Sequence, residues 1–253
     1  MKLERVVSWL DHELKLSEFP SDVSNNGLQV EAAPDVTRAV FGVDGCAALI
    51  SQAAERHADF IFVHHGLSWG GEPRRITGIT ARRYGELLRR GINFYAAHLP
   101  LDAAVGFGNN ARLAAMVKLL DPEPFFVYCG TPIGRIGTAS TYRRVGEVRE
   151  CLERELSCRS SLLGEDEREV NRIAIVSGGG GADAVEQAAA AGADLLITGE
   201  LEHVMFHCAA ENGLAVLAVG HYASETTGPK AMMERFSTEL GIPAEFVDIP
   251  TGL

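Results

Sequence analysis

The stretch AAERHADFIFVHH, residues 53–65, combines a helix end, an Ala-Asp step, an apolar run and two adjacent histidines. AAAAGADLLITGE, residues 188–200, repeats this order and closes on Thr-Gly-Glu. A helical stretch followed by a short apolar run predicts a helix that leads into a buried parallel strand. Strands alternating with helices indicate an α/β fold.

A second pair of segments extends the parallel. RRGINFYAAHLPLD, residues 89–102, resembles AENGLAVLAVGHYASE, residues 210–225, and both place a histidine four residues before a carboxylate. The matched pairs are His98 with Asp102 and His221 with Glu225. The similarity fits either an internal duplication or the generic pattern of βαβ units.

The remaining pattern predicts two α/β domains. The apolar runs predicted as strands cover residues 36–43, 59–63, 92–97, 135–140, 172–177, 193–198 and 214–219. The helical stretches cover residues 47–57, 77–90, 108–120, 145–156, 182–191 and 202–211. The charged stretch GEDERE (164–169) predicts an exposed loop, and we expect a boundary within residues 121–170. The expected domains are 1–125 and 126–253, with C-terminal residues packing on the first.

Composition limits the class of function. With 46% hydrophobic residues the chain has material for a core, and its formal charge of −11 disfavours nucleic acid and anionic membranes as partners. Arginines in the region 74–90, Arg74 among them, are expected to form a solvated face. Five cysteines without a CxxC motif, and an N-terminus unlike a signal peptide, predict a cytoplasmic protein.

The histidines and carboxylates predict a metal site. Neighbouring strand residues point to opposite faces, so His64 and His65 serve one site where the strand ends, or each binds a different ion. A helical turn after the strand would place His98 and Asp102, or His221 and Glu225, on one face. Imidazole and carboxylate suit Zn, Fe, Mn, Co or Ni.

Each of these residues can also have a simpler role, in hydrogen bonding, in acid/base chemistry or at a helix end. A histidine at a strand end is often a hydrogen-bonded structural residue or an acid/base group. Asp102 can cap a helix beginning near Gly108, and Glu225 can lie in the first turn of a helix running through Met232.

Two other motifs are candidates for a functional site. Glu200, His203 and His207 would lie on one side of a helix that started at Gly199. The loop Gly178–Gly181 contains G-x-G-x-x-A but lacks the P-loop lysine, and the acid expected of a dinucleotide fold is replaced by TGE. Its glycines are expected to let the backbone approach the site or to bind a substrate anion. The turn at SNNGLQV (24–30) is expected to be only a turn.

Taken in order, five blocks resemble one family: NNGLQV, FVHHG, AAHLPLDAAVGFGNN, ITGELEHVMFH and VGHYASE. The family is the NIF-three-like dinuclear-metal family, also called GTP cyclohydrolase 1 type 2. The resemblance implies two related three-layer α/β/α domains with two divalent metal ions in the cleft between them, and a toroidal homohexamer. It implies the metal ligands His64, His65, Asp102, His221 and Glu225, with His98 and Glu200 lining the cleft.

The chain departs from the family at two places. Ser24 stands where the first motif usually has aspartate, and Glu31 stands where glycine is frequent. The role of that aspartate is therefore open in this chain. The short connection over residues 121–170 predicts that the middle domain inserted in longer members is absent.

These observations support one leading hypothesis and two others. The leading one is a dinuclear metal-dependent hydrolase in which activated water attacks a C–N, amide or phosphate-type centre of a small molecule such as GTP, while His98 or Glu200 transfers the proton. The second is a metal-binding regulatory or scaffold protein without turnover. A nucleotide-binding oxidoreductase based on the glycine loop is the third.

Overall fold

The computed structural model describes residues 1–71 and 75–253. The helices are α1 (Leu3–Leu14), α2 (Ala47–Glu55), α3 (Gly78–Arg90), α4 (Leu99–Ala103), α5 (Asn109–Met116), α6 (Val145–Leu156), α7 (Gly181–Ala190), α8 (Met205–Glu211), α9 (His221–Glu225) and α10 (Thr227–Leu240). The strands are β1 (Gly27–Val30), β2 (Ala39–Asp44), β3 (Phe60–His65), β4 (Asn93–Ala96), β5 (Leu119–Tyr128), β6 (Thr131–Ala139), β7 (Ser161–Leu163), β8 (Arg172–Val176), β9 (Leu195–Thr198), β10 (Ala215–Ala218) and β11 (Ala244–Phe246).

The described residues form two compact units, each built on one sheet. The first unit contains residues 1–101 and 229–249, and the second contains residues 102–228 and 250–253. The sheet of the first unit has the order β1-β4-β3-β2-β11, and that of the second has the order β5-β6-β8-β9-β10-β7.

Helices cover both faces of the first sheet. β2, β3, β4 and β11 run parallel, and β1 joins the edge antiparallel to β4. One face packs against α2 and α3 through Leu49, Ile50 and Leu87. On the opposite face Phe236 of α10 contacts Phe41 and Phe60, with ring centroids 5.2 Å and 5.9 Å apart. Because these strands are buried on both faces, nearly all of their side chains are apolar, which explains the continuous apolar runs in the sequence.

The second unit has the same layers. β8, β9 and β10 run parallel, while β6 and β7 pair antiparallel with β8 and β10. One face of this sheet packs against α5 and α6. α7 and α8 contact β9 and β10, and their buried residues Ala188 and Met205 cover the alternate side chains of these strands.

The central strands of the two units correspond. In each sheet an antiparallel edge strand is followed by three parallel strands, β4-β3-β2 in the first and β10-β9-β8 in the second. The segments matched in the sequence therefore occupy equivalent strands: β3 matches β9, and β4 matches β10. The prediction of an α/β fold with two related three-layer domains is confirmed.

The division between the units differs from the boundary expected at residues 125 and 126. It lies before Asp102, because β5 pairs with β6, β6 pairs with β8, and α5 packs on the same sheet. The region 121–170 thus contains most of β5, the strands β6 and β7, and the helix α6, as well as the charged segment 164–169. Residues 229–249 pack with the first unit.

Several strands have no counterpart among the expected elements. β1, β5, β7 and β11 were not expected, because they are short or, in β5, interrupted by Pro122 and Pro124. The helix expected over 108–120 ends at Met116, and β5 begins at Leu119. No helix among the described residues is long and apolar enough to cross a membrane.

Phe236 offers a test of the packing of residues 229–249. Its side chain is fully buried against aromatic rings of the first sheet, so Phe236→Ala should lower the free energy of unfolding by about 3–5 kcal/mol. Phe206→Ala is the matched control: this ring is 50% exposed, and the change should stay within about 0.5 kcal/mol. Urea denaturation followed by circular dichroism measures both. Equal effects of the two substitutions would contradict the assignment.

Candidate metal centre

The carboxyl edge of the first sheet brings three histidines together. β3 ends on His64 and His65, and β4 is followed by His98, so all three lie at the same edge. The ring centroids are 4.6 Å apart for His64 and His65, 5.2 Å for His64 and His98, and 5.7 Å for His65 and His98. One ring nitrogen from each lies within 4.8 Å of the other two, which is close enough to hold a metal ion. The adjacent histidines of the sequence thus contribute to one cluster.

Each of these rings is oriented by an oxygen atom at Nδ1. His64 Nδ1 lies 3.0 Å from Ala97 O, His65 Nδ1 lies 2.8 Å from Asp44 Oδ1, and His98 has a similar contact with a carboxylate. A carbonyl or an ionised carboxylate only accepts, so Nδ1 carries the proton and donates. Nε2 is then the ring nitrogen with a lone pair, as in metal-binding histidines whose other nitrogen donates to a carboxylate or carbonyl.

His98 is held by Asp22, a residue that the sequence did not single out. His98 Nδ1 lies 2.9 Å from Asp22 Oδ1, and Asp22 also accepts from the backbone N–H of Ser24 and Leu99 and from Asn26 Nδ2. Burial tends to raise the pKa of Asp22, but the hydrogen bond and charge of His98, together with the hydrogen bonds from Asn26 and the backbone of Ser24, lower that pKa overall. Asp22, two residues before Ser24, therefore supplies the carboxylate that orients His98.

In the second unit, two glutamates flank His221. α9 is the single helical turn expected after β10, and it places His221 Nε2 3.2 Å from Glu225 Oε2. On the other side of the ring, Nδ1 lies 2.6 Å from Glu200 Oε1. Hydrogen bonding to Glu225, with the charge of that residue and of Glu200, raises the pKa of His221 to about 9.

Asp102 is oriented by buried polar side chains. Its Oδ1 accepts from Asn109 Nδ2 at 2.8 Å and from Ser177 Oγ at 3.0 Å, and the N-cap position of α5 is occupied by Gly108. Asp102 and Glu225 are 4% and 3% exposed, and one oxygen of each lies within 4.8 Å of the other. Two buried carboxylates this close repel each other and favour a nearby cation.

The glycine loop allows the backbone to approach these residues. A Cβ atom on Gly178 would lie 2.2 Å from Glu225 Oε1, and one on Gly199 would lie 2.6 Å from Gly178 O. Gly178 also has φ of +64°, which favours glycine. Its N–H donates to Ser224 Oγ at 3.0 Å. Close approach of the backbone therefore accounts for the glycines at these two positions.

Glu200, His203 and His207 do not lie together on one helix. α8 begins at Met205, so Glu200 and His203 precede it and only His207 lies on it. Both His203 and His207 are exposed. The helix expected over 202–211 begins at Met205, and the chain after β9 instead carries Glu200 to His221, so the condition for a site on one helix is not met. Arg74 lies outside the described residues.

The structure thus groups the sequence-predicted residues into two sets. His64, His65 and His98 belong to the first unit, and Asp102, Glu200, His221 and Glu225 belong to the second. The side chains that orient them were missed: Asp22, Asp44, Asn109 and Ser177. Asp44 ends β2 beside the strand of His65, which is the one signal that could have identified it.

The pKa of His221 makes the metal-free protein sensitive to pH. Since its folded pKa of about 9 exceeds its ordinary value of 6.5, the protonated ring contributes stability fully below pH 6.5. That contribution should be lost as the pH rises through 9. A proton NMR titration of His221 in chelator-treated protein, assigned with His221→Asn, measures the midpoint. Glu225→Gln should lower the midpoint, and a parent midpoint at or below 6.5 would contradict the geometry.

Comparison with known proteins gives a family for this arrangement. The sequence profile described as Duf34/NIF3 (NGG1p interacting factor 3) matches residues 1–251. A relative from Pyrococcus horikoshii, named GTP cyclohydrolase 1 type 2 homolog, is 43% identical over 256 residues, with 100% of each chain covered.

Two solved structures are similar over their whole length. TTHA1606 from Thermus thermophilus shares 38% identity with a TM-score of 0.89, and 100% of each chain is covered. Protein ybgI, described as of unknown function, shares 34% identity with a TM-score of 0.91, again over 100% of each chain. By sequence and by fold, the chain belongs to the Duf34/NIF3 family.

Proposed function

We propose that the protein is a dinuclear metal-dependent hydrolase. His64, His65, Asp102, His221 and Glu225 would hold two divalent ions of the Zn, Fe, Mn, Co or Ni type. The observation that carries the proposal is the orientation of the histidines: in His64, His65 and His221 an oxygen acceptor contacts Nδ1, so Nε2 is the nitrogen directed to a ligand.

The donor set fits such ions. Imidazole nitrogen and carboxylate oxygen suit the divalent first-row metals, and the buried pair Asp102 and Glu225 favours a cation between its oxygens. When bound, such ions supply Lewis acidity and a water activated at neutral pH. The outer residues Asp44, Glu200 and Asn109 would keep the ligands in place.

We propose that the two sets of residues would serve one centre. The short stretch of chain that connects His98 to Asp102 supports this proposal. His98 immediately precedes α4 and Asp102 lies within it, so one helical turn separates the first set from the second. With a rise of about 1.5 Å per residue, the backbones of these two residues are separated by only about 6 Å along the helix.

His98 is the proposed proton carrier. Its Nδ1 donates to the buried carboxylate of Asp22, which fixes the orientation of the ring, as in histidines that act as general acid or base. Glu200 was the other candidate for this role. Its 2.6 Å contact with His221 Nδ1 favours a positioning role, in which Glu200 acts through that ring.

The first substrate to test is GTP. Relatives of the chain carry the name GTP cyclohydrolase 1 type 2 homolog, and this supports a nucleotide with a hydrolysable C–N or phosphate-type bond. We further propose a cytoplasmic location, since all five cysteines are free thiols, as a reducing compartment requires.

Assembly into a toroidal homohexamer is the corresponding proposal for the quaternary structure. Large apolar side chains exposed on the second unit support self-association, among them Val127 at 56% and Leu120 at 52% exposure. Mass photometry should give six times the chain mass of 27.2 kDa. A monomer at micromolar concentration would contradict the assembly.

Metal content tests the centre directly. Protein purified without chelator should contain about two equivalents of divalent metal by plasma mass spectrometry. His65→Ala and Glu225→Ala should each lower this content while circular dichroism stays unchanged, because each removes one donor. The controls are His203→Ala and His207→Ala, which alter exposed histidines outside the two sets and should retain the metal.

Two results would count against the proposal. A parent protein that takes up no Zn, Mn or Fe after incubation would contradict the metal centre. A loaded protein that hydrolyses no nucleotide, amide or phosphate ester, and whose His98→Ala variant behaves identically, would favour a metal-binding regulatory or scaffold protein.

A further inference from the structure

An exposed tryptophan borders the histidine cluster. The Trp69 ring lies edge-to-face with His98, with centroids 5.0 Å apart and planes at 72°, and its centroid is 6.1 Å from that of His65. Yet the residue remains 41% exposed. A large indole that contacts two site residues and still presents much of its surface to solvent is available to a ligand bound at those residues.

The indole is held in one place by its own loop. Trp69 Nε1–H donates to Gly66 O at 3.0 Å. The backbone of Trp69 forms an isolated antiparallel β-bridge with Ser24, and the next residue, Gly70, donates its N–H to Val23 O at 2.6 Å. The loop after β3 is therefore tied to the segment that precedes β1.

Gln29 fixes this loop from the SNNGLQV segment. Its Oε1 accepts from the N–H of Leu67 at 2.7 Å and of Ser68 at 3.2 Å, and its Nε2 donates to Asn25 O at 2.8 Å and to Ser68 O at 3.3 Å. One amide thus satisfies four backbone groups in two segments. The stretch expected to be only a turn therefore joins the loop after β3 to the segment that precedes β1.

Gly66 is required by the same contact. A Cβ atom at this position would lie 2.4 Å from Gln29 Nε2 and 2.7 Å from the Cβ of Ala96, so any side chain would displace the amide. The glycine after the two histidines therefore serves the placement of Trp69, in addition to ending the strand.

We propose that Trp69 is a specificity-determining residue, whose indole stacks on a flat conjugated ring of a molecule bound at the metal centre, and that Gln29 positions it. The inference rests on the proposed function, because the metal centre would hold the ligand beside the indole. A saturated ring of the same size lacks the π system of this aromatic contact, so the indole would favour the conjugated ring.

Stacking on an aromatic ring is weak but measurable. Aromatic pairs contribute about 0.5–1.5 kcal/mol beyond the area they bury, and the corresponding preference is about two- to twelvefold in affinity. Benzoate and cyclohexanecarboxylate form a suitable pair of probes. Both carry one carboxylate that can bind a metal ion, and only benzoate has a flat conjugated ring.

The experiment compares the two probes on zinc-loaded full-length protein. Dissociation constants from ligand-observed NMR should favour benzoate by about two- to twelvefold in the parent. Trp69→Leu should abolish the preference, Trp69→Phe should retain part of it, and Gln29→Met should weaken it by releasing the loop. In a Trp9→Phe background Trp69 is the single tryptophan, and benzoate should change its emission.

Zinc content, measured first on every variant, separates the possible failures. Equal binding of both probes by a zinc-loaded parent, or an unchanged preference in zinc-loaded Trp69→Leu, would overturn the role of Trp69 and leave the metal centre intact. A parent that binds no zinc would overturn the proposed function together with this inference.

Discussion

The hydrogen bond at Nδ1 is the constraint on which the candidate site depends. His64, His65, His98 and His221 all direct Nδ1 to an oxygen atom, supplied by Ala97, Asp44, Asp22 and Glu200. Without these acceptors each ring could rotate and present either nitrogen. With them, the tautomer and the direction of Nε2 are set by groups that belong to the fold. Such preorganisation costs little when a ligand arrives, because the rings are already ordered.

The two sheets explain why the acceptors lie where they are needed. In each unit the parallel strands end at one edge, and polar residues follow the last apolar position. Asp44 at the end of β2 reaches His65 on the neighbouring β3, and Ser177 after β8 reaches Asp102. The corresponding order of the central strands gives both units an edge of this kind. In the first unit the edge carries mainly imidazoles, and in the second it carries mainly carboxylates.

Much of the fold follows from local sequence. The apolar runs at β3, β4, β9 and β10 are continuous because these strands are buried on both faces. The turn after β10 brings His221 to Glu225 as their spacing predicts. The unexpected strands β1, β7 and β11 have only three or four residues, and they form because a neighbouring edge offers hydrogen bonds. Local pattern carries no information about that edge.

The site was predictable only in part for the same reason. Adjacent histidines and i, i+4 carboxylates are visible as spacing, whereas Asp22 and His98 are 76 residues apart, and Gln29 and Ser68 are 39 apart. The position of Glu200 has a similar origin. Its helical spacing with His203 left a site on one helix open, but the long-range contact with His221 holds this segment in another conformation.

The orientation of the histidines is tested most directly by anomalous diffraction at the zinc edge from crystals grown with zinc. We expect two peaks, bonded to Nε2 of His64, His65 and His221 at about 2.0 Å, while Nδ1 keeps its oxygen partners. Peaks bonded through Nδ1, or zinc only at His203 and His207, would contradict this orientation.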